Sequence, residues 1–138
     1  MMIGVSSYSY SRLVNSGAMK QIDVIAKAKE MGFDCIEFST IAVPEGKTLP
    51  EFAAELKAEA DRVGIPIMNY TIGADLLAGS NGDLDAEVER LKKEVDIAEI
   101  LGAPGCAMTA PAAASRRTGK ARRPLTPRCR KSLRAAAP

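Results

Sequence analysis

The chain contains no histidine and no tryptophan among its 138 residues. Without histidine, this chain alone cannot build a Ser-His-Asp triad, a Cys-His dyad or a histidine-liganded zinc site. Its three cysteines, Cys35, Cys106 and Cys129, form no CxxC pair. The sequence also shows no signal peptide and no apolar run of about 18 residues. We therefore expect a reduced, cytoplasmic protein with no membrane partner.

Charge divides the chain into two unequal parts. Residues 1–105 contain all 17 acidic residues and 10 of the 19 basic ones, which gives them a net charge of −7. Residues 106–138 contain nine basic residues and no acidic residue. Because a solvated domain usually mixes charges of both signs, this abrupt change sets residues 106–138 apart as a separate segment.

Hydrophobic periodicity predicts three strand–helix units in the first hundred residues. Thr48 and Glu51 form a capping-box pattern at the start of the second helix, and Gly64 fits the left-handed position at its end. The predicted strands are 2–10, 33–40 and 65–72, and the predicted helices are 19–32, 48–64 and 83–102. On the third helix we expect an inward face of Val88, Leu91, Val95, Ala98 and Leu101.

The three units repeat one pattern, in which a helix ends at a glycine and an apolar strand follows. The glycines are Gly32, Gly64 and Gly102, and this spacing of 32 to 38 residues predicts parallel strands joined by crossover helices. Such a chain can close as a doubly wound sheet or as a (β/α)₈ barrel. The turn after the first strand, SSYSYSRLVNSG, lacks the GxGxxG of a dinucleotide site. The long loops after strands 1 and 3 are typical of a barrel's active-site face.

Four segments in order, IGVSSYSY, AKEMGFDCIEFST, ADRVGIPIMNYTIGA and AEILGAPG, resemble the N-terminal part of the sugar phosphate isomerase/epimerase family. The resemblance covers residues 2–105. It implies an α/β fold, the xylose isomerase-like TIM barrel, present here as three βα units and the start of a fourth. It also implies a sugar or sugar phosphate as substrate, but it does not separate an isomerase from an epimerase, a dehydratase or the related endonucleases.

The same resemblance implies a divalent metal, such as Mn, Mg, Co or Zn, in the full-length family. There, two Glu, one Asp and one His from later strands hold the metal, which polarises the sugar oxygens while two carboxylates move a proton. Those strands lie beyond residue 105, so no metal ligand or catalytic residue is carried over to this sequence. We expect no metal in this chain, and the chain as written is expected to be an inactive fragment.

The codons permit a different origin for residues 106–138. In the family the fourth strand often reads Met-Arg-His-Asp after LGAP, where this chain reads GCAMT. A one-base shift across these codons permits Met-Arg-His-Asp, and its Asp is forced because Met is ATG and Thr begins AC. The same shift over PLTPRCRKSL permits Phe-Asp-Ala-Ala-Leu-Pro-Glu-Val-Ala, which suits the next barrel unit. We therefore predict that residues 1–105 are barrel and that residues 106–138 are a basic Ala/Arg/Pro-rich tail, out of frame or disordered.

Two other functions stay open. Taken at face value, SRRTGKARR and RCRK form a basic patch of the type that binds phosphate backbones. No aromatic residue lies between the basic ones, so the tail lacks a base-stacking platform, and we do not favour a nucleic-acid partner. Alternatively, three strands of an eight-stranded barrel leave two open edges, which a partner chain or self-association would cover.

Three polar or amphipathic residues of the predicted strands are candidates for the substrate-binding wall, because strand side chains near the carboxyl ends point at the barrel mouth. Tyr8 ends strand 1, and its alternative role is packing under a loop. Glu37 lies between Ile36 and Phe38, so its carboxylate needs a partner or a ligand. It matches the Glu of the family's G-F-D-x-I-E pattern, and its alternative role is a structural salt bridge. Asn69 either binds a sugar hydroxyl or caps the following loop.

Overall fold

In a computed structural model, the structure describes residues 1–110. Four strands form one sheet: β1 Gly4–Ser6, β2 Cys35–Ser39, β3 Ile67–Gly73 and β4 Cys106–Thr109. The α-helices are α1 Ser11–Asn15, α2 Asp23–Glu30, α3 Leu49–Val63 and α4 Leu84–Ile100. Two 3₁₀ helices cover Ser7–Tyr10 and Gly79–Gly82. Within the described part, none of the helices has the length and apolarity needed to cross a bilayer.

The strand order decides between the two predicted closures. All three strand pairs are parallel, and the order in the sheet is β1-β2-β3-β4, the same as in the chain. A doubly wound sheet reverses its order at a switch point, whereas a barrel adds its strands in sequence. The predicted partial barrel, three βα units and the start of a fourth, is therefore confirmed.

Helix α3 begins and ends where its sequence signals predict. The Thr48 hydroxyl accepts a hydrogen bond from the Glu51 amide, and the Glu51 carboxylate accepts one from the Thr48 amide at 2.8 Å. The Thr48 amide and hydroxyl lower the pKa of Glu51. At the other end, Gly64 has a φ of 72°, a left-handed conformation that glycine adopts without a Cβ penalty.

The inward face predicted for α4 is wrong for two of its five residues. Leu91, Ala98 and Leu101 are buried, but Val88 is 37% exposed and Val95 is 47% exposed. The flank of α4 that contains Ile97 and Ile100 lines a groove with Leu49 and Pro50 of α3. Within residues 1–110, α4 packs against α3, the 3₁₀ helix Gly79–Gly82 and β3, and these contacts leave Val88 and Val95, on the other flank, exposed.

The fourth strand extends the sheet past the predicted domain boundary at residue 105. The Tyr70 amide donates to the Gly105 carbonyl at 2.9 Å, and the Ala74 amide donates to the Thr109 carbonyl at 3.0 Å. Because strand pairing uses backbone groups, Cys106–Thr109 can join the sheet whatever side chains it carries. Residues 111–138, the rest of the predicted tail, lie outside the described residues.

Candidate functional site

The helices cover one face of the sheet, and the polar side chains lie on the other. In β2, Ile36 and Phe38 are fully buried, while Cys35, Glu37 and Ser39 alternate with them and are half-buried. Since successive side chains point to opposite faces of a strand, this second set lies on the face without helices. We call it the free face; in a closed barrel it lines the interior, and its carboxyl end opens at the active-site mouth.

Two of the three predicted site residues meet on the free face. The register pairs Ser6 with Glu37 and Glu37 with Asn69, which places the three at one level across β1, β2 and β3. The Ser6 hydroxyl donates to Glu37 Oε1 at 3.2 Å, and Asn69 Nδ2 donates to Thr71 Oγ1 at 2.8 Å. Among residues 1–110, Glu37 has no salt bridge. Its carboxylate therefore remains available to a ligand at this level.

Asn69 is held at this level by a local irregularity and by a glycine. The register shifts between Ile36 and Glu37, so that β3 contributes one extra residue before Asn69. A Cβ added to Gly105 would lie 2.8 Å from Asn69 Oδ1. Glycine immediately before β4 therefore leaves the room that the Asn69 amide occupies.

Tyr8 does not lie at a strand end, and the predicted strand 2–10 is wrong after Ser6. The Ser6 hydroxyl accepts a hydrogen bond from the Tyr8 amide at 3.3 Å and starts a 3₁₀ turn there. Serine side chains favour such turns because they offer the backbone a local partner. The Tyr8 side chain is 71% exposed, so it is not packed under a loop, and it lines the rim of a cavity of about 230 Å³.

The comparison with known families agrees with this geometry. The family described as the xylose isomerase-like TIM barrel matches residues 25–138. The chain belongs to this family. The matched range includes Glu37 and Asn69 but begins after Tyr8, and it extends through residues 106–138. A search of curated proteins gave no match.

The described residues of this xylose isomerase-like chain do not fit a divalent metal site. No group of three or more Asp, Glu, Cys or His side chains within residues 1–110 is placed to hold an ion. Of the positions that the register places on the free face, Glu37 carries the carboxylate, and its neighbours are Ser6 and Asn69. Hard divalent cations prefer several oxygen ligands that include carboxylates, and one glutamate does not meet that need.

A second polar cluster, at the carboxyl end of β3, was missed by sequence reasoning. The buried Glu87 carboxylate pairs with Arg90 at 2.7 Å and accepts a hydrogen bond from the Ser80 hydroxyl at 2.8 Å. Arg90 also donates to the Gly73 carbonyl at 2.7 Å. The cluster ties the β3–α4 loop to the sheet beside a cavity of about 590 Å³ that Thr109 also lines. The spacing of Glu87 and Arg90 is its sequence signal, but it is equally typical of solvated helices.

The Glu87 cluster should make stability depend on pH in acid. Arg90, then Ser80, lower the pKa of Glu87 from about 4.5 to about 2. A lowered pKa stabilises the fold above the unfolded value, and this contribution is lost as the pH falls through about 4.5 towards about 2. Glu87→Gln should therefore flatten the fall in denaturation midpoint between these pH values. Glu45→Gln, in an exposed loop, is the control; an equal flattening in both variants would contradict the role of the cluster.

Proposed function

We propose that this chain is the N-terminal part of a cytoplasmic, divalent-metal-dependent isomerase or epimerase that acts on sugars or sugar phosphates. The observation that supports it best is that Ser6, Glu37 and Asn69 lie side by side on the free face of the sheet, in a chain of this barrel family. Hydroxyl, carboxylate and amide groups at one level complement the alternating hydroxyls of a sugar. In this proposal Glu37 accepts from one substrate hydroxyl, and Asn69 donates to or accepts from the next.

Tyr8 extends the proposed substrate wall towards the carboxyl end of the sheet. It lies beyond the carboxyl end of β1, whereas Ser6, the last residue of that strand, lies beside Glu37. Its phenol has an apolar ring and one hydroxyl, a combination that suits contact with a small polar ligand at a cavity rim. The family's metal would polarise the substrate oxygens, and later strands would have to supply its ligands.

The 138-residue chain should not catalyse the reaction on its own. Moving a proton between adjacent carbons needs a polarised oxygen and a base, and the described free face offers one carboxylate without a metal site. Incubated with aldoses or ketoses and Mn²⁺ in D₂O, the chain should give no exchange of substrate C–H above the buffer rate by NMR. Calorimetric titration should show no micromolar site for Mn²⁺ or Mg²⁺; exchange, or such a site, would refute this part of the proposal.

A second candidate function is a barrel fragment that is completed by another chain. The outer edges of β1 and β4 have no strand partner within residues 1–110, and β4 is exposed along its whole length. The outer flank of α4 adds exposed Leu84, Val88 and Val95 to the β4 edge. A second copy rotated by half a turn about the barrel axis would place its own β1 parallel to β4 and complete eight strands.

A further inference from the structure

We propose that the cavity between the β1 and β2 loops is a subsite for the neutral end of a polyol or sugar and does not accept a phosphate. This inference rests on the proposed function, because it names the class of substrate that the same mouth would take. The cavity measures about 230 Å³ and lies at the carboxyl ends of β1 and β2. It is smaller than the pockets that hold drug-sized molecules, which begin at about 300 Å³, so it suits a part of a small ligand.

Among residues 1–110, the lining of this cavity offers hydroxyls and amides without a cation. Its polar members include Ser7, Tyr8, Ser11, Asn15, Gln21 and Ser39, and no lysine or arginine of that described range lines it. Phosphate sites in proteins are built from arginine or lysine side chains, or from the free amides at a helix start. Neither the lining nor the short α1 helix provides such a site, whereas hydroxyls and amides can both donate to and accept from neutral hydroxyl groups.

The buried Ser7 hydroxyl is the donor in this lining that most favours a ligand. Ser7 is 5% exposed, and its Oγ accepts a hydrogen bond from the Ser39 amide at 2.9 Å. Within residues 1–110 the Ser7 hydroxyl donates to no protein group, although it lines the cavity. A sugar hydroxyl in the cavity would give it an acceptor.

The cavity also lies on the same face of β2 as Glu37, further towards the carboxyl end of the strand. Ser39 follows Glu37 by two residues in β2, so both side chains lie on the free face, about 7 Å apart along the strand. One monosaccharide can therefore contact Glu37 and Asn69 at its reacting end and Ser7, Tyr8 and Ser39 at its other end. This places Ser7 and Tyr8 as residues that select the substrate.

Within residues 1–110, Gln21 lies between this cavity and a neighbouring one that contains two lysines. Gln21 donates to the Thr40 carbonyl at 2.9 Å and accepts from the Ala42 amide at 2.7 Å. Gln21 and Ala42 also line a neighbouring cavity, which contains Lys20 and Lys47, and Lys47 is already paired with Glu55 at 2.6 Å. A phosphate in the first cavity would have to be stripped of water without a cation beside it, which is unfavourable.

The test compares fructose with fructose 6-phosphate on the full 138-residue chain. Because the phosphate on O6 also confines the sugar to furanose rings, 6-deoxyfructose, which is confined in the same way, is the neutral reference. Binding is measured by saturation-transfer NMR titration after circular dichroism has shown that each variant is folded. Fructose should bind in the millimolar range, and fructose 6-phosphate should bind no more tightly. Ser7→Ala and Tyr8→Ala should each weaken fructose binding about fivefold, the usual effect of losing one hydrogen bond. Leu13→Ala, on α1 but outside the cavity lining, is the matched control and should change nothing.

A gain of function makes the test sharper. Ala42→Lys places a cation in the lining and should improve fructose 6-phosphate binding at least about fivefold while leaving fructose unchanged. Tighter binding of fructose 6-phosphate by the unchanged chain would overturn the neutral subsite and leave the sugar-enzyme proposal intact. Fructose binding that is insensitive to Ser7 and Tyr8, or no binding of either sugar to the folded chain, would also overturn the subsite. The sugar-enzyme proposal itself fails on a different result, namely no sugar turnover by a protein with a complete barrel.

Discussion

Purified alone, the 138-residue chain should form dimers or larger assemblies, and Val88→Asp combined with Val95→Asp should convert them to monomers. Val88, Val95 and Leu84 form an exposed apolar stripe along α4, and the outer edge of β4 is unpaired within residues 1–110. Unpaired parallel edges and exposed apolar flanks both favour association. Burying one valine contributes up to about 2 kcal/mol, and an unpaired carboxylate in the same place costs several kcal/mol.

Size-exclusion chromatography with light scattering, over a hundredfold range of concentration, would measure this association. The matched control is Ala54→Asp with Ala58→Asp, which adds the same charge to exposed positions of α3. Because α3 contacts both α2 and α4, its exposed side does not border an open edge, and the control should stay associated. A parent chain that is monomeric at every concentration would contradict the prediction, and so would a control that dissociates like the valine variant.

Local signals explain which parts of the fold the sequence predicted well. The start and end of α3 depend on Thr48, Glu51 and Gly64, whose hydrogen bonds and backbone angles are settled within a few residues. The buried flank of α4 depends instead on its neighbours. Val88 and Val95 have the spacing of core residues, yet within residues 1–110 both remain exposed. Periodicity therefore predicted an apolar stripe correctly but could not tell how much of it the described chain covers.

The site residues, too, divide into those that sequence signals could locate and those that depend on the surrounding structure. Glu37 and Asn69 could be assigned to one wall because both lie within adjacent parallel strands, and the strand register pairs them directly. Tyr8 could not, because the Ser6 hydroxyl ended the strand early by binding the Tyr8 amide. The Glu87–Arg90 cluster escaped prediction because its burial arises from the loop that folds over it, with Ser80 as the third partner.

Restoring the shifted reading frame after Gly105 should turn an inactive chain into a metal-dependent enzyme. The register explains why the shifted residues suit this role. Ala107 pairs with Thr71 and Thr109 pairs with Gly73, so the positions of residues 107 and 109 lie on the free face. In Met-Arg-His-Asp, started at residue 106, these positions carry Arg and Asp. A guanidinium and a second carboxylate would then lie on the same face as Glu37, which is the type of arrangement that proton transfer beside a sugar carbonyl requires.

The decisive comparison begins with a DNA read of the coding region from codon 95 to well past the stop codon. The shifted frame should stay open through a second half that supplies further acidic residues and histidine. The protein made from it should exchange sugar C–H with D₂O in the presence of Mn²⁺ at least about 100-fold above the 138-residue chain, the lower end of what acid–base catalysis contributes. Glu37→Gln in that protein should lower the exchange about 10- to 100-fold, because a charged hydrogen bond to the substrate is lost. A shifted frame that closes quickly with stop codons would instead show residues 106–138 to be the genuine sequence after Gly105, and the isomerase reaction would then be only the ancestry of this chain.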